Sequence, residues 1–292
     1  MALFNKPATY IFFSLMLIIP FKSSAQSNSS GFEFGLNFGV YMPSKYSANY
    51  YNGSDKNINN TKWLLSNNVA FAYDTILNRL NVIEHTAIDT FYVQSDGWPT
   101  NMHYKLSVMP GLYGQYTFND LYALYFDFNI TKLTTQDVIV FKIPLPYLSE
   151  PKQYLSPIRG VEERVYFDIG LRRNFPKSDK ISYFLIGGLS VNNTTVKKSS
   201  FYIDQKEFSI INNYINGVYI GPNAQTLNQK QGGIGWGIYL SGGASFRFGN
   251  MVFEPGINSH FVNINLNGYK QFRPGFGAYI RINLNNFLFG GE

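Results

Sequence analysis

The chain has 292 residues, a formal net charge of +6 and no cysteine. The lack of cysteine excludes disulfides and an N-terminal lipidated cysteine, and the modest, dispersed charge excludes the basic footprint of a nucleic-acid-binding protein. Aromatic residues make up 17% and charged residues 14%, against about 25% charged in a soluble domain, and no stretch after the N-terminus approaches the roughly 20 apolar residues of a spanning helix.

Taken in chain order, the first element is an export signal. Lys6 supplies charge, Tyr10 to Ile19 an apolar core, and Ser23-Ser24-Ala25 a small-residue site before Gln26. Cleavage is expected after Ala25, which makes residues 1–25 a signal peptide and 26–292 the mature chain. The apolar run is about half of what a membrane anchor requires.

Residues 31–42 alternate strictly. Phe32, Phe34, Leu36, Phe38, Val40 and Met42 fall on one face, and Glu33, Gly35, Asn37, Gly39 and Tyr41 on the other. Successive side chains of a strand point to opposite faces, so this strand is greasy on one side and polar on the other. A long segment of about 43–101 follows. Trp63, Leu64, Leu65, Val69, Phe71, Ile76, Leu77 and Leu80 recur there at loosely helical intervals. They predict one amphipathic helix or a small cap over a barrel mouth.

Strand two is expected over 102–118, with Tyr104, Leu106, Val108, Leu112, Tyr116 and Phe118 outward and His103, Lys105, Ser107, Gln115 and Thr117 inward. Asn119-Asp120 signals a tight turn. Strand three, 121–132, returns with Tyr122, Leu124, Phe126, Phe128 and Ile130 outward. A proline-rich loop (Pro144, Pro146, Pro151, Pro157) leads to strand four, 162–174, where Val165, Phe167, Ile169 and Leu171 alternate with Arg164, Tyr166, Asp168, Gly170 and Arg172. Pro176 to Asp179 turns the chain into strand five, 181–192. A third loop with Phe201, Tyr202, Ile203, Phe208, Ile210, Ile211 and Tyr214 predicts hairpins continued above the membrane or a contact surface. Strands six (233–248) and seven (251–262) flank the turn Gly249-Asn250, and strand eight covers 274–285.

Eight is the smallest common strand number of a closed membrane barrel, and short connections alternate with long ones as in outer-membrane barrels. The expected fold is therefore all-β: an eight-stranded antiparallel up-and-down transmembrane β-barrel with long extracellular loops, multi-pass in the bacterial outer membrane. Its apolar faces meet outer-membrane lipid.

On the signal junction, the first strand and hairpins such as Gly111-Leu112-Tyr113-Gly114-Gln115-Tyr116, the chain resembles the small eight-stranded outer-membrane barrels. It is broadly similar to the transmembrane domain of outer membrane protein A, and looks most like the PorT-like β-barrel proteins. The ending Phe289-Gly290-Gly291-Glu292 departs from the proteobacterial habit of finishing on an aromatic residue. Resemblance to PorT-like proteins implies a part in protein secretion across the outer membrane.

With apolar faces outward, the lumen collects Glu33, Lys105, Asp127, Arg164, Asp168, Arg172, Arg247, Glu254 and Arg281, joined by His103 and His260. A barrel of eight strands is filled by its own side chains, and unpaired charges there are costly, so ion pairs are expected. Glu254, Arg247, Arg281 and Glu33 are expected to form the central cluster. Glu33 is expected to pair with Arg281 or Arg247, and Arg281 is preferred because strand one closes against strand eight.

An enzyme needs a nucleophile within reach of a base. His85, beside Glu84, Asp89 and Asp96, and His103 are the candidate bases, and no spacing singles out a nucleophile. Three scattered histidines without cysteine make no metal set, and no cofactor is expected. The reading is a non-enzymatic structural or interaction component of the envelope, in protein secretion or envelope assembly, that meets other envelope or secretion proteins through its long loops. The alternatives are a small gated channel, and an enzyme acting on lipid or peptide.

Overall fold

The computed structural model describes residues 31–61, 65, 70–178, 180–211, 214–215, 218–219, 231–248, 251–266 and 268–284. The export signal, Trp63, Leu64, Val69, the Phe71 side chain, Tyr214's side chain, the Gly249-Asn250 turn and the tail 285–292 lie outside the described residues.

Eight long antiparallel strands form a closed ring. They are β1 (Gly31–Met42), β2 (Ser107–Thr117), β3 (Tyr122–Ile143), β4 (Lys152–Ser178), β5 (Ile181–Ile203), β6 (Gly232–Phe248), β7 (Met251–Asn263) and β8 (Phe272–Asn283). Each pairs with its neighbours in sequence, and β1 pairs with β8, with Asn37 opposite Arg281, which closes the ring. Closure removes the open edges that hydrocarbon cannot satisfy.

The alternation read from the sequence decides which way each face points. Phe38, Val108, Leu171, Leu189, Ile238, Ile257 and Ile280 are exposed on the outside, whereas Asn37, Tyr41, Asp127, Asp168, His260 and Arg281 are buried within. A soluble protein hides such apolar rows; here they form a belt on a ring whose interior is polar. The chain is thus a transmembrane β-barrel of the outer-membrane type. No described helix is long and apolar enough to cross a membrane.

The hairpin turn between β2 and β3 is set by one side chain. Asn119 Oδ1 accepts hydrogen bonds from the backbone N–H groups of Leu121 and Tyr122, at 3.0 and 2.9 Å, the usual way asparagine stabilises a turn.

Two expectations from the sequence are corrected. β2 begins at Ser107 and not at 102. Between the Gly111–Asn129 pair and the isolated Tyr104–Thr135 bridge, the first chain carries one residue more than its partner. An extra residue flips the faces that follow it, so Tyr104 turns inward and is buried while Lys105 is exposed. The second correction concerns length. β3, β4 and β5 have 22, 27 and 23 residues, well beyond the 9–11 or so that cross a bilayer. Their upper parts rise above the belt as a three-stranded sheet.

The long first connection packs on that sheet. A 3-10 turn, Ser47–Tyr51, sits at the barrel mouth. Helix α1, Ala70–Glu84, follows, and His85 beyond its end adopts a left-handed φ of 52°, a common way to end a helix. Ile76 and Leu80 of α1, with Ile88 and Phe91, share one buried core with Ile139, Phe141 and Ile143 of β3, Ile158 of β4 and Phe201 and Ile203 of β5. Tyr92–Val93 adds a short strand beside β3. The segment is a packed cap built on the strand extensions.

Candidate functional site: the charged lumen and its seal

The strand period aims every second side chain of all eight strands into the barrel, and these side chains form four successive layers. The layer nearest the short turns is held by Arg172. Its guanidinium grips Glu254 with two nitrogens, at 2.9 and 2.6 Å, and donates to Gln115 Oε1 at 3.0 Å. The Phe184 ring covers it at 4.2 Å. Gln115 and Asn283 both donate to Glu33 Oε2, at 2.9 and 2.6 Å.

In the next layer Arg281 Nη2 lies 3.2 Å from Asp127 and donates to the Tyr239 hydroxyl at 3.1 Å. Its guanidinium stacks 4.1 Å from the Tyr279 ring and 4.5 Å from the Tyr125 ring. Above it, His260 Nε2 meets Asp168 Oδ2 at 2.9 Å. Rings of Tyr41, Tyr166 and Tyr239 surround the imidazole, and the Tyr41 and Tyr166 hydroxyls are 2.9 Å apart.

The last layer joins barrel to cap. Arg164 binds Glu162 through Nε at 2.6 Å and Ser47 Oγ at 2.9 Å. Tyr51, from the 3-10 turn, donates to the second Glu162 oxygen at 2.5 Å. Burial beside Glu162 pushes the Tyr51 hydroxyl well above the ordinary tyrosine value, so it keeps its proton and stays a donor. One step higher, Tyr50 donates to Gln231 Oε1 at 3.0 Å, and Gln231 also exchanges two hydrogen bonds with Asn59.

Six of the nine charged residues expected in the lumen are buried there in pairs or bonded to neighbouring side chains: Asp127, Arg164, Asp168, Arg172, Glu254 and Arg281. Glu33 also lies inside, but its expected pairing with Arg281 is corrected. Arg281 stands two residues before Asn283, the cross-strand neighbour of Gly35, and opposite Asn37, and it is spent on Asp127. Lys105 is outside, hydrogen-bonded to Gln136 at 3.2 Å, because of the bulge below it. Arg247 is exposed at the end of β6, too near the rim to enter the lumen. The expected cluster is therefore split: Glu254 and Glu33 share the first layer, Arg281 belongs to the second, and Arg247 stands at the rim.

Glu162 and the tyrosine shell were missed. Strand parity contained both: Glu162 stands two residues before Arg164, and Tyr125, Tyr166, Tyr239 and Tyr279 occupy lumenal positions. Tyrosine reads as ambiguous because it suits a lipid interface equally well.

Of the candidate bases, His85 is exposed and the neighbouring Glu84 is held by Lys152 at 2.5 Å. His103 lies 3.5 Å from the Asn101 carbonyl. Among the described residues no group of three His, Cys, Asp or Glu side chains is placed to hold a metal.

No protein-family model and no curated protein matches the chain. Solved structures similar to it include Neisserial surface protein A (NspA), at 13% identity and a TM-score of 0.39, over 88% of this chain and 99% of that one. The outer membrane protein OprG from Pseudomonas aeruginosa follows at 11% and 0.38, over 88% and 93%. Ail, the attachment invasion locus protein of Yersinia pestis, solved with the heparin analogue sucrose octasulfate, stands at 9% and 0.32, over 86% and 95%.

Proposed function

We propose that this outer-membrane barrel is a non-enzymatic interaction component of the cell envelope, serving protein secretion or envelope assembly through its extracellular cap. The observation that carries this reading is the seal. Layers of ion pairs and tyrosines fill the lumen, and the Tyr51–Glu162–Arg164 contact bolts the cap onto the uppermost one. A lumen filled in this way leaves the work to surfaces. The cap is a packed unit, with α1 and the strand extensions sharing one core, and it offers a firm platform to a partner. The PorT-like resemblance adds secretion as the process, from the sequence pattern alone.

The test is capture of envelope proteins from detergent extract by the full-length chain, compared with a variant lacking the cap segment 45–100. Partners lost with the cap support the proposal. Partners captured equally by both, or none by either, would sink it. Planar-bilayer recordings address the channel reading, which unitary conductance in the full chain would revive.

A further inference from the structure

A bowl of about 560 Å³ opens between the first connection and the short link from β7 to β8. That volume falls within the roughly 300–1,000 Å³ of small-molecule sites. Tyr46 and Asn49 line it from the 3-10 turn and the residue before it, Lys56 and Ile58 from the loop that follows, and Gly268 and Tyr269 from the β7–β8 link. Hydrogen bonds hold the wall in shape. The Tyr269 hydroxyl reaches the Asn49 carbonyl at 3.2 Å and Asn57 Oδ1 at 2.8 Å, and Asn57 Nδ2 donates to the same carbonyl at 2.8 Å. The Tyr46 and Tyr50 rings lean on the Tyr269 ring, at 5.3 and 5.8 Å between centroids.

Below the tyrosines the space closes. Tyr46 and Tyr269 also line a crevice that runs down to Arg164 and Arg273, and it holds about 10 Å³. A single water needs roughly 10–15 Å³ of such space. A ligand in the bowl therefore stops at the tyrosine floor and does not enter the lumen.

The unspent groups of the bowl identify the ligand. Asn49 Oδ1 is taken by the Met102 N–H at 3.1 Å. Among the described residues Asn49 Nδ2, the Tyr46 hydroxyl and Lys56 Nζ have no hydrogen-bond partner, and exposed Lys56 has no ion pair. An amide NH₂ and an ammonium only donate, and a hydroxyl donates or accepts. Their complement is rich in oxygen acceptors and carries a negative charge opposite Lys56. The two tyrosine rings and Ile58 ask in addition for an apolar face. A lipid tail offers that face without acceptors, and a polyphosphate offers acceptors without the face and with too much charge for one lysine. A sugar acid meets all three demands, with C–H groups on a ring face, hydroxyls around the edge and a single carboxylate. We propose that the bowl binds a saccharide bearing a carboxylate, with the carboxylate on Lys56 and the sugar ring against Tyr46 and Tyr269. This site stands whether or not the cap docks a protein.

The test titrates the full chain, folded in detergent micelles, with trigalacturonic acid in a calorimeter. Saturable binding is expected, weakened at least tenfold by K56Q and abolished by I58W, whose indole fills the bowl. The control K270Q changes an exposed lysine just past Tyr269 and outside the bowl, and it is expected to bind as the parent does. The trimethyl ester, which keeps the sugar and loses the charge, is expected to bind the parent and K56Q alike, and more weakly than the acid binds the parent. Heat-modified electrophoretic mobility checks that each variant is folded; should I58W fail to fold, K56Q and K270Q carry the test. No saturable binding by the parent, or equal binding by K56Q, overturns the proposal. A loss in K270Q as large as that in K56Q overturns it as well, because the attraction then belongs to the positive surface at large. So does displacement of trigalacturonate by equimolar acetate, which would reduce the site to an ion pair.

Discussion

Asp127 and Asp168 stand directly opposite each other on β3 and β4, both fully buried in the lumen. Two like charges across a strand pair destabilise a sheet, and here each has a separate counter-group: Arg281 for Asp127, His260 for Asp168. Removing one counter-group strands a buried carboxylate. Arg281→Met is therefore expected to cost about 3–5 kcal/mol, and Arg281→Met/Asp127→Leu to recover most of that loss, because an apolar pair replaces a buried ion pair at little cost. Urea unfolding in lipid vesicles measures both. Equal losses in the single and double variants would show that Arg281 acts through its tyrosine shell and not through Asp127.

Depth in the belt sets the cost of a charge on the outer face. Leu240 lies near the middle of β6 and is exposed, and Phe248 ends the same strand, also exposed. Leu240→Arg is expected to destabilise by about 2–4 kcal/mol and Phe248→Arg by about 0–1. The same unfolding assay separates them. Similar costs at both positions would contradict the placement of the bilayer on this ring.

Strand pairing and the sidedness of the barrel were legible because one rule, period two, acts on every strand and writes itself as alternation. The lipid belt needed nothing more. Lengths above the membrane were not legible, since Thr134, Gln136, Asp137 and Pro157 read as loop once lipid no longer demands apolar residues. The bulge near Lys105 escaped for a related reason: one extra residue leaves no local mark and shows only in what Tyr104 and Thr135 do together. Which ions pair in the lumen depends on the stagger of strands around the ring, so Glu33 was placed in the right compartment and given the wrong partner.

The joint between cap and barrel rests on a missing side chain. A Cβ at Gly160 would run into the Tyr51 ring, so glycine is required for the 3-10 turn to settle over Glu162. Gly160→Val is expected to push Tyr51 off the Glu162 carboxylate and to loosen the segment 43–106, at a cost of about 1–3 kcal/mol for overpacking. Limited proteolysis of folded protein is expected to cut that segment faster in the variant, with the barrel still resistant. The variant is also expected to pass no current in a planar bilayer, because the Arg172–Glu254 and Arg281–Asp127 layers remain. Steady conductance in Gly160→Val would assign the seal to the cap alone.

Above the membrane, Lys198 on β5 and Glu207 on the short strand Lys206–Ser209 tie the ends of a hairpin at 2.8 Å. Partial burial raises the Glu207 carboxyl, but the hydrogen bond and charge of Lys198 outweigh it, and the net shift is downward from 4.5. A carboxylate depressed on folding adds stability above its unfolded value, and that stability is lost as pH falls through the lowered folded value. The hairpin is therefore expected to hold at neutral pH and to loosen only in acid, below the ordinary glutamate range. Hydrogen exchange across residues 200–209, corrected for intrinsic rates, reads this directly. Lys198→Met is expected to raise the pH at which protection drops; unchanged protection in that variant at every pH would remove the pair from any role in holding the hairpin.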